Sequence, residues 1–87
     1  MLGFSANPNP TTGNISLAYY LPEKTGVEIE VYNLVGEKIT SLINETQNVG
    51  KRTIDFDTKS MGMKAGVYLL KIKTGSSSQT LRLVVMD

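Results

Sequence analysis

Apolar residues recur at every second position through most of the chain. Ile15, Leu17, Tyr19 and Leu21 alternate with Ser16, Ala18 and Tyr20, and Val27, Ile29 and Val31 alternate with Glu28 and Glu30. Successive side chains of an extended backbone point to opposite faces, so each run has one apolar face and one wet one. A helix repeats every 3.6 residues and would scatter these positions around its circumference. The pattern therefore predicts an all-β fold. Arg52, Ile54 and Phe56 extend it, alternating with Lys51, Thr53 and Asp55, and "VYLLKIK" (67–73) and "QTLRLVVM" (79–86) supply the last strands. A strand over about Glu37 to Ile43 is less regular, since Ile39 and Ile43 flank Ser41 while Leu42 faces the other way.

Turn chemistry divides the runs. Pro22 lacks a backbone donor and holds Leu21 extended, which ends the first of these strands. Gly36 in "YNLVGEK" can take the positive φ of a tight hairpin. "NETQNVG" (44–50) is a polar connection with room for a short edge strand. "DTKSMGMKAG" (57–66) is a loop or a single helical turn, and "TGSSS" (74–78) is a flexible turn. Short strands with turn signals every 8 to 12 residues or so describe an antiparallel sandwich or barrel. The stretch from Gly66 to Leu70 favours the sandwich. Immunoglobulin-like domains carry a tyrosine early in a late strand with a core position two residues on, a spacing that Tyr68 and Leu70 reproduce. The expectation is an immunoglobulin-like antiparallel β-sandwich of about six or seven strands, with the Tyr68 hydroxyl returning to an upstream backbone group.

Composition removes several function classes. At 87 residues the chain supports one domain, which buries roughly 60% of its unfolded surface. Nine basic and eight acidic residues give a net charge of +1, without the concentrated basic face of a nucleic-acid binder. There is no cysteine and no histidine, so thiolate chemistry, acid-base catalysis near neutrality and most zinc sites lose their usual residues. No apolar run approaches the ~20 residues of a helical membrane span. Met1 to Ser5 lacks the charged start and apolar stretch of a secretion leader, so the chain is either cytosolic or a piece of something longer.

The groups that could carry chemistry have plainer explanations. Asp55 and Asp57 share a strand face and could hold calcium or act as acid and base, but no further oxygen ligand stands at a suitable spacing. Met61 and Met63 have the spacing of copper(I) thioethers, yet a loop folding methionines onto the sandwich end explains them. Tyr20 and Tyr32 could stack on a sugar, Tyr19 and Tyr68 being assigned to the core. "GSSS" lacks a base partner and a following helix. Lys71, Lys73 and Arg82 form a small basic patch on neighbouring strands. No enzyme, cofactor or metal is expected.

One stretch fits none of these roles. In "NPNPTTG" (7–13), Asn7 and Asn9 each precede proline and are pushed extended, while Pro8 and Pro10 fix φ and cannot donate to a sheet. It reads as a stiff lead-in over 1–13, with Gly13 permitting the turn into a sandwich over 14–87. The order of the pieces is informative: Pro8-Asn9-Pro10 with Gly13, then Val31-Tyr32-Asn33 running to Gly36, then Gly66-Val67-Tyr68, and the closing strand Leu81-Arg82-Leu83-Val84-Val85. This succession resembles the C-terminal sorting domain of cargo proteins of the type IX (Por) secretion system, over residues 7 to 86. The resemblance implies a non-catalytic immunoglobulin-like address that follows a cargo in the same precursor. Its partners would be the outer-membrane translocon and a sortase-like peptidase that removes the domain, and its cargo would be secreted or held at the cell surface after passing the periplasm. The secretion leader would then lie far upstream. The chain closes on Met86-Asp87 where many relatives end in lysines, leaving Arg82 as the basic residue of the final strand. A carbohydrate-binding module or a structural spacer beside a secreted enzyme is the alternative.

Overall fold

A computed structural model describes residues 2–75 and 77–87. Among these, seven strands follow one another: β1 (Leu2–Asn7), β2 (Asn14–Leu21), β3 (Thr25–Asn33), β4 (Lys38–Gln47), β5 (Gly50–Asp57), β6 (Gly66–Thr74) and β7 (Ser77–Val85). Two antiparallel sheets result, one ordered β1-β2-β5 and the other β4-β3-β6-β7. Three strands facing four in this order form an immunoglobulin-like sandwich, as expected. Ser76, within the "TGSSS" turn, lies outside the described residues, as does Met1.

Period-two patterning explains the core. The inward residues of β2 (Ile15, Leu17, Tyr19, Leu21) and of β3 (Val27, Ile29, Val31) are at most 2% exposed, and Leu70, Ile72, Leu83 and Val85 complete the layer from β6 and β7. β2 ends at Leu21, one residue before the proline that stops it. The β3–β4 hairpin has a three-residue loop: the Asn33 N–H donates to the Glu37 carbonyl, the Gly36 N–H donates to the Asn33 carbonyl, and Gly36 has φ of 91°. This is a type I turn closed by a left-handed glycine, the usual solution for that loop length. Tyr68 packs against the core and its hydroxyl donates to the Lys64 carbonyl at 2.7 Å, the upstream return expected of it. Met63 is buried and Met61 packs beside it, so loop 58–65 closes the end of the sandwich.

β4 departs from simple alternation for a visible reason. Its register against β3 shifts twice, leaving Leu42 and Ile39 as extra residues. A bulge places two neighbouring side chains on similar headings. Leu42 and Ile43 thus both pack against the core, while Ile39 is 43% exposed. The polar stretch 44–50 forms no strand of its own: Asn44 to Gln47 continue β4, and Gly50 opens β5.

The first thirteen residues differ most from expectation. Leu2–Asn7 pairs antiparallel with β2, from Leu2↔Tyr20 to Asn7↔Ser16 with one irregularity, and Phe4 and Ala6 pack against the core. The proline segment is thus not a lead-in ahead of the sandwich but the connection between its first two strands. Two apolar residues beside a left-handed Gly3 (φ 66°) are enough for an edge strand when a long neighbour supplies the ladder. Gly13 has no positive φ, and a Cβ there would meet only ordinary contacts at 3.7 and 3.8 Å, so its backbone does not require glycine.

Candidate functional site

Strand register brings most of the motif residues to one end of the molecule. Val85 pairs with Gly66, Val84 with Val67 and Leu83 with Tyr68, while Tyr68 pairs on its other side with Asn33, just before the Gly36 turn. β1 ends and β2 begins at the corresponding end of the facing sheet, and Thr11 bridges Val85 across the gap. Pro8, Asn9, Pro10, Gly13, Gly36, Gly66, Val67, Tyr68 and the last residues of β7 therefore share one end, though they span most of the chain. Tyr32 and Leu81 sit slightly further in.

Four hydrogen bonds fasten the proline segment to the outer edge of β7. The Asn9 side-chain amide donates to the Arg82 carbonyl at 2.6 Å, and its oxygen accepts from the Val84 N–H at 3.0 Å. The Thr11 N–H donates to the Val84 carbonyl at 2.9 Å, and the Thr11 carbonyl accepts from the Met86 N–H at 2.7 Å. An asparagine side chain has the donor and acceptor of a peptide group, so Asn9 acts as one extra residue of a strand laid along β7. The flanking prolines need no backbone donor satisfied. Buried Thr11 holds the segment in shape: its hydroxyl donates to the Asn14 carbonyl and accepts from the Gly13 N–H. The Gly13 carbonyl accepts from both the N–H and the hydroxyl of buried Thr58, tying this connection to loop 58–65.

The rest of the β7 edge is open. Arg82 and Val84 turn their backbone groups outward, and alternation along a regular strand turns those of Ser78 and Thr80 the same way. No backbone partner meets Ser78 or Thr80 on that side among the described residues. Beside this edge Arg82 pairs with Leu69 and Thr80 with Lys71 on the outer face of the larger sheet.

Tyr32 lies on that face within a small polar network. Its hydroxyl donates to Glu30 at 2.9 Å, Lys38 Nζ stands 2.7 Å from the other Glu30 oxygen, and Lys71 Nζ lies 4.5 Å from the Tyr32 ring centre. Hydrogen bonds from Lys38 and then Tyr32 hold the Glu30 carboxyl below its ordinary value, and the same carboxylate raises Lys38 and Tyr32. A depressed carboxylate stabilises the fold above its unfolded value of 4.5 and loses that contribution as pH falls through the folded value. Glu30→Gln should therefore lower the urea midpoint slightly at pH 7 and leave it unchanged at acid pH, which flattens the decline between them. An unchanged decline would assign acid sensitivity to other groups.

The remaining candidates separate. Asp55 accepts from the Ser16 hydroxyl, and Asp57 accepts from the Lys59 N–H at 3.0 Å. Among the described residues no group of three or more acidic, histidine or cysteine side chains could hold a metal ion. Tyr20 and Tyr32 point from opposite exterior faces of the sandwich, following the alternation of β2 and β3, and so form no common platform. Lys71 and Lys73 face Glu30 and Glu28 across β3, which leaves Arg82 as the member of the basic patch without a cross-strand acid on β6. Sequence reasoning missed Thr11 and Thr58, the buried polar residues behind the seam; a threonine shows its hydrogen bonding only once its neighbours in space are known.

Comparison with known families decides the class. The family described as "Secretion system C-terminal sorting domain" matches residues 5–86. The chain belongs to that family. It is thus a C-terminal sorting signal for type IX secretion, a class that implies a secreted or cell-surface cargo in the same precursor. The match starts within β1 and ends one residue past β7, so the whole sandwich constitutes the sorting domain. No curated protein matches the chain.

Proposed function

We propose that the outer-membrane translocon reads the sorting domain at the end where the proline segment meets β7, and that the open edge at Ser78 and Thr80 takes up an extended strand of that machinery. The four-bond seam from Asn9 and Thr11 to Arg82, Val84 and Met86 carries this reading. It fixes the last strand rigidly while leaving its neighbouring edge groups free, and free edges recruit strands. The domain performs no reaction. Its cargo reaches the periplasm, crosses with it, and is parted from it by a sortase-like peptidase acting ahead of β1, so that the sandwich leaves as a folded unit. The expected motif residues act as one surface in this scheme: Pro8 to Pro10 and Gly13 shape the seam, Gly36 and Gly66 to Tyr68 build the adjoining end, and Leu81 to Val85 form the strand being read.

Fusing the domain to a folded passenger in a type IX-competent host tests this. Thr80→Pro removes an outward donor from an edge strand, where proline is tolerated without loss of fold. Export should fall about tenfold, the scale of losing one strand-pairing contact or two, while the thermal midpoint of the purified variant stays close to the parent. Normal export of a folded Thr80→Pro protein would refute edge recognition.

A further inference from the structure

Three of the four sheet edges are blunted. β4 carries two bulges, β1 carries one and runs into Pro8, and β7 is partly covered by the Asn9–Thr11 segment. β5 is different. All eight of its residues pair with β2 in unbroken register, from Asn14↔Asp57 to Leu21↔Gly50, and among the described residues no strand pairs with its other side. Its inward residues Ile54 and Phe56 are only half-buried, whereas Ile15 and Leu17 opposite them on β2 are 1% and 0% exposed. A regular edge with incompletely covered inward side chains accepts another strand. The one inward charge, Arg52, does not obstruct it, because its guanidinium folds back to the Asn48 carbonyl at 2.9 Å.

The charges of β5 specify the occupant. Lys51 stands near one end of the strand, and Asp55 and Asp57 stand toward the other, all on the outer face with Thr53 between. Such a strand complements itself when reversed. We propose that a second copy of the domain pairs antiparallel with the first along β5, about a twofold axis that passes midway between the two copies of Thr53, perpendicular to the sheet. This axis keeps inward faces inward, as joining two sandwiches edge to edge requires. Thr53 then faces the partner's Thr53, and Lys51 of each copy faces the partner's Asp55. The two three-stranded sheets become one of six strands, and Ile54 of each copy stands opposite the partner's Arg52, whose aliphatic stem covers its open side while the guanidinium stays on the Asn48 carbonyl. The contact is small, so the dimer is weak and reversible.

Sedimentation across a concentration series up to about 1 mM tests this, since only weak complexes dissociate in that range. The sorting domain should shift from monomer to dimer. Lys51→Glu alone should weaken association about tenfold or more by opposing two pairs of like charges, and Asp55→Lys alone should do the same. An equimolar mixture of the two variants restores both ion pairs in the heterodimer and should associate as the parent does, which also shows that each variant is folded. The proposal fails if the parent stays monomeric throughout, if either single variant dimerises undiminished, or if mixing restores nothing. The readout needs no secretion, so it stands apart from the test of edge recognition at β7.

Discussion

Leu83→Ala is expected to cost about 3 kcal/mol of folding stability, the middle of the range for truncating a fully buried leucine. Leu83 is 0% exposed and pairs with Tyr68 on one of the two inner strands of the larger sheet, so its truncation leaves a cavity out of reach of solvent. A domain of 87 residues has a total stability of about 4–13 kcal/mol, and such a loss removes a large part of it. Leu69→Ala is the control. Leu69 lies on the outer face of β6 and is partly exposed, so it should cost about 1 kcal/mol, in proportion to the smaller area it buries. Urea unfolding with an unchanged slope would measure both. Equal costs for the two leucines would mean that β7 does not seal the core.

The second large effect is expected at Asn9. Asn9→Ala removes both side-chain bonds to β7 and leaves the Arg82 carbonyl and Val84 N–H to water, at about 1 kcal/mol for each bond. Asn9→Asp separates the two halves of the clamp. Its carboxylate still accepts from the Val84 N–H but cannot donate to the Arg82 carbonyl, and it sets two acceptors against each other. Aspartate should therefore do no better than alanine, although it differs from asparagine by one group. Hydrogen exchange at the Val84 amide should rise in Asn9→Ala and stay lower in Asn9→Asp. Retained protection in Asn9→Ala would show that Thr11 alone holds the edge.

The parts of this fold legible in the sequence are those whose physics is local. Alternation in β2, β3, β5 and β7, the stop at Pro22 and the left-handed Gly36 each depend on residues within a few positions, and all hold. Tyr68 was legible because its partner, the Lys64 carbonyl, is only four residues away. β1 was not legible: two apolar residues make a strand there because β2 offers a ladder, and that neighbour lies beyond the prolines. The double bulge of β4 showed only as irregularity at Ile39, Leu42 and Ile43. The seam was the hardest to read. Asn9 and Val84 are 75 residues apart, and no spacing rule relates an asparagine between prolines to the edge of a final strand. Stiffness was the readable property of "NPNPTTG". Its use as a clasp needed the tertiary contact.

That separation of 75 residues has a temporal consequence. A chain synthesised from its N-terminus makes the receiving half of the clasp first and the received half last. While β2 to β6 are being made, Asn9 and Thr11 have nothing to hold. A precursor broken off before β7 would carry its cargo and six strands but no fastened terminus. On the proposed reading of the seam, such a product presents no fastened end to the translocon, and the clasp would report complete synthesis as well as destination.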